Sequence, residues 1–300
     1  MSMSTSKIFL VTGATAGIGR TTALHLARQG HHVLASGRRA AELATLKAEA
    51  GTLKLDTVVL DVTAAASIAA AVIEVDRLTA GHGVDVLVNN AGFGLAGPTI
   101  EIEDAELRRQ YDTNVFGLMA VTRAFVPKMR ERGRGRVINI SSVGGRLTLP
   151  FLGVYNSTKY AVESLSDALR WELRAFGVDV VVIEPGVVKS NFADTALANA
   201  ARYASTPYAH AVAKSEELNR KFDRFAAQPI VIAKAIAHAG TTRWPAARYV
   251  APRANYAMLV MKALTPTRIW DWAMRKVGFL TPSQLLPGKE ARAALPASAS

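Results

Sequence analysis

Six short apolar runs punctuate the first 190 residues: KIFLVTG, HHVLASG, LDTVVLDV, VDVLVNNAG, GRVINISS and VDVVVIEPG. Each is nearly unbroken in Val, Ile, Leu or Ala and runs out at Gly, Asn, Asp or Ser. A strand with one wet face alternates apolar with polar residues, whereas an unbroken run suits a parallel strand buried on both faces. Between the runs lie stretches with helical spacing: GRTTALHLARQG, AAELATLKAEAG, SIAAAVIEVDRLTAG, DAELRRQYDTNVFGLMAVTRAFVPKMRERG and YAVESLSDALRWELRAFG. This alternation predicts an α/β fold, a Rossmann-type doubly wound parallel sheet with helices on both faces. Such sheets bind ligands beyond the carboxyl ends of their strands, so site residues are expected there.

The first strand end carries VTGATAGIGR, with glycines at 13, 17 and 19 opening a helix. Gly13, Gly17 and Gly19 permit a tight turn and close approach of a pyrophosphate, and the helix N-terminus offers free N–H groups and a positive dipole end. Thr15 and Ile18 lie in the same turn. A plain turn is the competing reading, and the strand–turn–helix context favours the dinucleotide. The second strand ends ASGRR, with no acid from His31 to Arg39. NAD-selective folds usually offer an acid to the ribose 2′-hydroxyl near this point. Arg38 and Arg39 stand instead where a 2′-phosphate would lie, and a guanidinium matches phosphate geometry. NADP(H) is therefore expected in preference to NAD(H), against the plainer reading of two solvated arginines.

YNSTK, residues 155–159, places Tyr155 and Lys159 four residues apart, on one helix face where a helical run begins. Alone, that spacing is commoner as two unrelated surface residues. Composition bounds the remaining choices. Half of the 300 residues are hydrophobic and a fifth charged, which supports a full core. The absence of cysteine excludes disulfides, thiolate metal sites and a Cys nucleophile, and no metal site is expected. The net charge of +12 is scattered except in KMRERGRGR, a run that reads as a solvated connection between helix and strand. No aromatic–basic module accompanies it, so a nucleic-acid partner is not expected. The opening MSMSTSKIFLVTG lacks a secretory pattern, and no apolar run reaches eighteen residues; a cytoplasmic location is expected.

Composition shifts after residue 190, beyond which lie only three of 22 glycines but eight of 12 prolines. Residues 1–250 are read as one dinucleotide-binding and catalytic domain, with a substrate-side segment at about 191–240, and 251–300 as a C-terminal helical extension with a frayed end.

TGATAGIG (12–19), NNAG (89–92), NVFG (114–117), NISS (139–142), YNSTK and PGVVKS (185–190) occur in the order and spacing of the short-chain dehydrogenases/reductases, which the chain resembles over residues 7–192. NAGFGLAGPTIE, the stretch around YNSTK and the long tail resemble the 17β-hydroxysteroid-dehydrogenase-like and retinol-dehydrogenase-like branch. The resemblance implies a catalytic tetrad of Asn114, Ser142, Tyr155 and Lys159, with Ser142 rather than Ser141 because it precedes Tyr155 by thirteen residues. It implies that Gly13, Gly17, Ile18 and Gly19 hold the pyrophosphate and that Asp61 and Val62 meet the adenine. Asn89, Ala91 and Gly92 would wall the ribose side, and Pro185, Gly186, Val188 and Ser190 would form the nicotinamide loop. A homodimer or homotetramer is also implied.

The implied function is an NADP(H)-dependent oxidoreductase interconverting an alcohol and a ketone or aldehyde. Tyr155 would be the general acid/base. A free tyrosine, with a pKa near 10, shuttles protons poorly at neutral pH. A cation at ~4 Å and effective dielectric ~20 favours phenolate by roughly 4 kcal/mol, about three pKa units. Lys159 is expected to supply it, as is the oxidised nicotinamide, and Lys159 to contact the cofactor ribose. Ser142 would hold the substrate oxygen and Asn114 a proton-relaying water. An NADP(H)-binding regulator without turnover is the alternative. Phe93, Leu95, Leu147, Leu149, Phe151, Leu152 and Phe192 flank the site and suggest an apolar substrate, or are ordinary core. In the tail Ile269, Trp272, Ala273, Val277 and Leu280 fall at helical spacing among basic residues. That run fits a packed helix, a lid, or weak contact with an anionic membrane surface.

Overall fold

The computed structural model describes residues 6–189, 200–203, 205–223 and 226–285. Ser190, Phe192 and the frayed end expected after residue 285 lie outside them. Seven parallel strands form one sheet: β1 (Ile8–Val11), β2 (His32–Gly37), β3 (Leu55–Val59), β4 (Val86–Asn89), β5 (Gly135–Ile140), β6 (Val178–Pro185) and β7 (Arg248–Ala251). Their order across the sheet is β3-β2-β1-β4-β5-β6-β7, every neighbour pair parallel. The chain reverses direction across the sheet between β1 and β4, which opens a crevice at their carboxyl ends.

The unbroken apolar runs are explained by helices on both faces. Phe9, Val11, Val33, Val86, Val88, Ile138 and Ile183 point to one side. There they meet α1 (Gly17–Arg28), α2 (Ala40–Ala50) and α8 (Pro229–Thr241) through Leu26, Leu46 and Ile236. Leu10, Leu34, Leu87, Val137 and Val180, one register position away, point to the other. They pack on α3 (Ala65–Leu78), α5 (Leu118–Glu131) and α6 (Gly153–Arg174) through Val75, Phe125 and Leu173. The remaining α-helices among the described residues are α4 (Asp104–Tyr111), α7 (Ala209–Asp223), α9 (Tyr256–Leu264), α10 (Thr267–Val277) and α11 (Pro282–Leu285). No described helix is long and apolar enough to cross a membrane.

Two features differ from the sequence reading. β7 is a seventh strand that periodicity missed, because four residues beside Pro252 carry no pattern. The single helical run expected over 104–133 is broken by a π-helical turn, Asp112–Gly117. In the tail, Leu259 of α9 shares a small core with Val143, Leu147 and Val250.

Candidate active site

Every expected site residue among those described stands at or near the carboxyl ends of the strands, most of them around the β1/β4 crevice. The turn after β1 is built for close approach. Gly13 and Gly17 have positive φ, 63° and 53°, where a side chain is strained. A Cβ at Gly13 would stand 2.9 Å from the Ala91 Cα, and one at Gly19 would collide with the Gly13 carbonyl. Thr12 and Asn90, which sequence reasoning did not single out, lock this turn to the end of β4. The Thr12 Oγ1 accepts from the backbone N–H groups of Asn90 and Ala91, both at 2.9 Å, and the Asn90 side chain donates to the Thr12 carbonyl at 2.8 Å. The first turn of α1 has no acid and its N-cap no side-chain bond, so its N–H groups face the crevice without a competing anion. Thr15 sits against Gly37, leaving no space for a Cβ there.

The two arginines after β2 separate. Arg39 pairs with Glu42 at 2.6 Å. Arg38 is exposed and makes no ion pair among the described residues. Burial raises the Asp61 carboxyl, but bonds from the Thr63 N–H and hydroxyl, with the Arg38 charge nearby, hold it below its ordinary value. Val62 packs on the π turn, where a Cβ at Gly117 would come within 2.8 Å of it. Asn89 directs its amide into the sheet, donating to Thr122 and to Asn139, each at 2.9 Å. Only its backbone remains for the crevice wall. At Gly92 a Cβ would stand 3.0 Å from the Asn114 Oδ1 and 3.8 Å from the Lys159 Nζ.

The tetrad residues converge. Asn114 lies in the π turn, a device often found at functional sites. Its amide accepts from the Phe93 N–H at 3.1 Å and donates to the Phe93 carbonyl at 2.9 Å and to Thr158 at 3.1 Å. Thr158, another residue missed in the sequence, bonds the Tyr155 carbonyl and so ties Asn114 to α6. Ser142 leaves β5 in extended conformation and accepts from the Gly144 N–H at 3.0 Å. It also hydrogen-bonds the Tyr155 hydroxyl. Ser141 is buried with its hydroxyl unpartnered among the described residues. Tyr155 and Lys159 sit on the buried first turns of α6, with the ammonium 5.8 Å from the tyrosine ring centre. Lys159 donates to the Ile140 carbonyl at 2.8 Å.

Burial sets the electrostatics of Tyr155 and Lys159. Burial pushes the Tyr155 hydroxyl up to about 12, offset only in part by Ser142. Burial likewise brings Lys159 down to about 8, with Glu163 opposing. Desolvation is thus the largest influence on the Tyr155 hydroxyl, while the Lys159 hydrogen bond goes to Ile140. Tyr155 is in this state a well-protonated acid.

At the end of β6, Ser142 donates to the Pro185 carbonyl at 3.3 Å. Gly186 abuts the Asn255 amide so closely that no Cβ fits. Val188 forms a bridge to Ala227. Of the flanking apolar residues, Leu95 and Leu147 are core, packed with Ile102 and Val154 and with Val143 and Leu259 respectively. Phe93, Leu149, Phe151 and Leu152 stay partly accessible. Phe151 has a φ of 62°, a strained value in the loop between Ser142 and Tyr155. Gly278, after α10, packs on Pro150 of that loop. A cleft of about 400 Å³ lies there, lined by Pro150, Asp271, Met274, Arg275 and Leu280.

Comparison with known proteins matches the short chain dehydrogenase family over residues 7–201. An uncharacterized oxidoreductase, YbbO of Escherichia coli, is 35% identical over 88% of this chain and 93% of its own. A 3-ketodihydrosphingosine reductase of Bacteroides thetaiotaomicron is 32% identical over 90% and 97%. An NADPH-dependent 3-dehydrocapnine reductase of Ornithobacterium rhinotracheale is 33% identical over 87% and 94%. Among solved structures, a short-chain dehydrogenase from Streptomyces avermitilis superposes with a TM-score of 0.72 at 30% identity, covering 92% of this chain and 98% of the other. Actinorhodin polyketide ketoreductase with NADPH gives 0.69 at 30%, covering 84% and 97%.

Proposed function

Because this chain belongs to the short-chain dehydrogenases, oxidoreductases of CH–OH and C=O groups, we propose that it uses NADP(H) to interconvert an apolar ketone and its alcohol, with Tyr155 as the acid and base. The observation that carries this reading is the Ser142–Tyr155 hydrogen bond beside buried Lys159 and Asn114, at the crevice of the sheet. The residues fit the cofactor. The Gly13/Gly19 turn packs against Ala91, Asn90 and itself too tightly for a Cβ, and the α1 N-terminus it opens suits a pyrophosphate. Arg38, without an ion pair among the described residues, suits a 2′-phosphate, with Arg39 a lesser contributor because Glu42 holds it. Asp61 and Val62 would meet the adenine, Ala91 and Gly92 the ribose side, and Pro185, Gly186 and Val188 the nicotinamide. The relatives named for NADPH favour the same cofactor.

Bound NADPH supplies the hydride. Ser142 holds the carbonyl oxygen and stabilises charge as it develops. Tyr155, kept protonated by burial, gives its proton to that oxygen. Lys159 carries a positive charge below pH about 8, steadies the phenolate that results and contacts the cofactor ribose. Asn114, fixed through Phe93 and Thr158, orders the path by which the proton is restored. An apolar ketone fits the accessible Phe93, Leu149, Phe151 and Leu152, and relatives carry the names of ketone reductases. The regulator without turnover is disfavoured by the intact tetrad.

The same reading takes an anionic membrane surface as a weak partner. Val260, Met261, Leu264, Ile269 and Trp272 are exposed on α9 and α10. Residues 253–277 carry Arg253, Lys262, Arg268, Arg275 and Lys276 against Asp271 alone. The test of the function is a panel of ketones, from small to long-chain and polycyclic, followed by NADPH absorbance. Turnover that rises with substrate apolarity supports it; no NADPH consumption across the panel, with NADPH still bound, would transfer the support to the regulator.

A further inference from the structure

Lys159 is not alone in the interior of α6. We propose that Glu163 is a positioning residue for the reaction, keeping the Lys159 ammonium charged and aligned beside Tyr155, and that Arg248 of β7 holds Glu163 for that purpose. The inference rests on the function proposed above. Glu163 lies one helical turn beyond Lys159 and is buried. Its Oε2 accepts from the Arg248 Nε at 2.9 Å, while its Oε1 is buried without a hydrogen-bond partner among the described residues. A buried carboxylate oxygen left in this way is costly unless a cation faces it. The turn that carries Ser142 is pressed onto the same patch. A Cβ at Gly145 would stand 3.0 Å from both the Glu163 Cγ and the Lys159 carbonyl. Glu163 therefore lies beneath Lys159 and the Ser142 turn together.

The other charges facing this patch come from four places. On α6, Tyr155 lies on the near side and Asp167, bonded also by Arg170, on the far side. Arg248 reaches Asp167 at 2.7 Å from β7. Glu184 of β6 is fully buried, 3.4 Å from both Arg248 and Arg146, the latter at the end of the Ser142 turn. Burial raises the Glu184 carboxyl, Glu163 raises it further, and the two arginines oppose this only in part. Arg248 thus faces three carboxyls, Glu163 at 2.9 Å, Asp167 at 2.7 Å and Glu184 at 3.4 Å. A tie between β7 and α6 needs only Asp167. The second carboxylate, with its open oxygen one turn from Lys159, has an electrostatic use: it is the charge that opposes the desolvation of Lys159.

The test uses the full chain and two readouts. Isotope-labelled lysine side chains are titrated by NMR in the parent, Glu163→Gln, Glu163→Asp and Arg248→Lys, with Lys159→Arg identifying the signal. The expected result is a Lys159 titration lower by about one pH unit in Glu163→Gln, restored in large part by Glu163→Asp. The alkaline limb of kcat/KM for ketone reduction moves by the same amount, and Arg248→Lys moves both partway. An unchanged Lys159 titration in Glu163→Gln, or a loss of rate equal at every pH with a lowered Tm, overturns the proposal. Should Glu163→Gln fail to fold, the Arg248→Lys titration decides alone, and no shift of Lys159 in it overturns the proposal. A parent that reduces no ketone refutes the proposed function, while the titration still judges Glu163.

Discussion

Lys159 shows how one buried group can set a pH limit. Its proton is held up to about pH 8, against an ordinary value of 10.5, because burial penalises the charged form. The sign for activity follows: the cation is present below that pH and lost above it. Ketone reduction should be level through neutral pH and fall as pH rises through about 8, with Tyr155, at about 12, still protonated throughout. A pH profile of kcat/KM checks this, and a limb above pH 10 would contradict it. The sign for stability is opposite. Between about 8 and 10 the unfolded chain holds a proton that the folded chain has released, so this group makes stability rise with pH there. The penalty below that window is about 3 kcal/mol. Arg38 and Arg39 provide a second residue-level test. Arg38→Ala should weaken NADPH binding about ten- to a hundredfold, from the roughly 1.5–3 kcal/mol of a charge-assisted contact. It should leave NADH binding nearly unchanged, and Arg39→Ala should do much less, since Glu42 already engages that guanidinium. Fluorescence titration with both cofactors reads the difference; equal effects of the two substitutions would contradict the assignment.

At the scale of elements, the strand runs that bury both faces were legible because Phe9/Val11 and Leu10 are apolar on opposite sides. The elements that were not legible owe their form to distant contacts. β7 exists because β6 offers it an edge, and its Arg248 side chain reaches α6. The π turn at Asn114 is invisible in a run whose helical spacing continues through it, and Phe93 and Thr158, far along the chain, hold it. Leu95 and Leu147 read as site-flanking because they neighbour motifs, whereas their side chains fill small cores. The tail divides in the same way. Leu259 and Trp270 are buried, while Ile269 and Trp272 face outward, with Lys276 5.7 Å from the Trp272 ring centre. The outward face predicts that the protein floats with vesicles rich in anionic lipid, less so as salt rises. Replacing Ile269 and Trp272 with Ala should lower flotation several-fold without changing Tm. Flotation equal on neutral vesicles, or unchanged by the double substitution, would remove the membrane surface as a partner.

For the whole molecule, a parallel sheet places a glycine-rich turn, the buried Tyr155 and an accessible apolar loop at the carboxyl ends of its strands. Six motifs in register made that plan readable from the chain. The spacing of Tyr155 and Lys159 was readable too, as a shared helix face. How charge is distributed between them was not, since it depends on burial and on Glu163, Glu184 and Arg248 brought together from three elements. Glu163 did leave a trace, four residues after Lys159, which spacing alone could not tell from a solvated glutamate. The central claim is that Tyr155 donates the proton at a site whose cofactor is held elsewhere. The most direct measurement is a single-turnover reaction of NADPH-loaded protein with an apolar ketone, for the parent and for Tyr155→Phe, with NADPH affinity titrated in parallel. The account predicts NADPH oxidation in the parent, a loss of at least about a hundredfold in Tyr155→Phe, and NADPH affinities that agree within about threefold. Near-parental oxidation by Tyr155→Phe would contradict it.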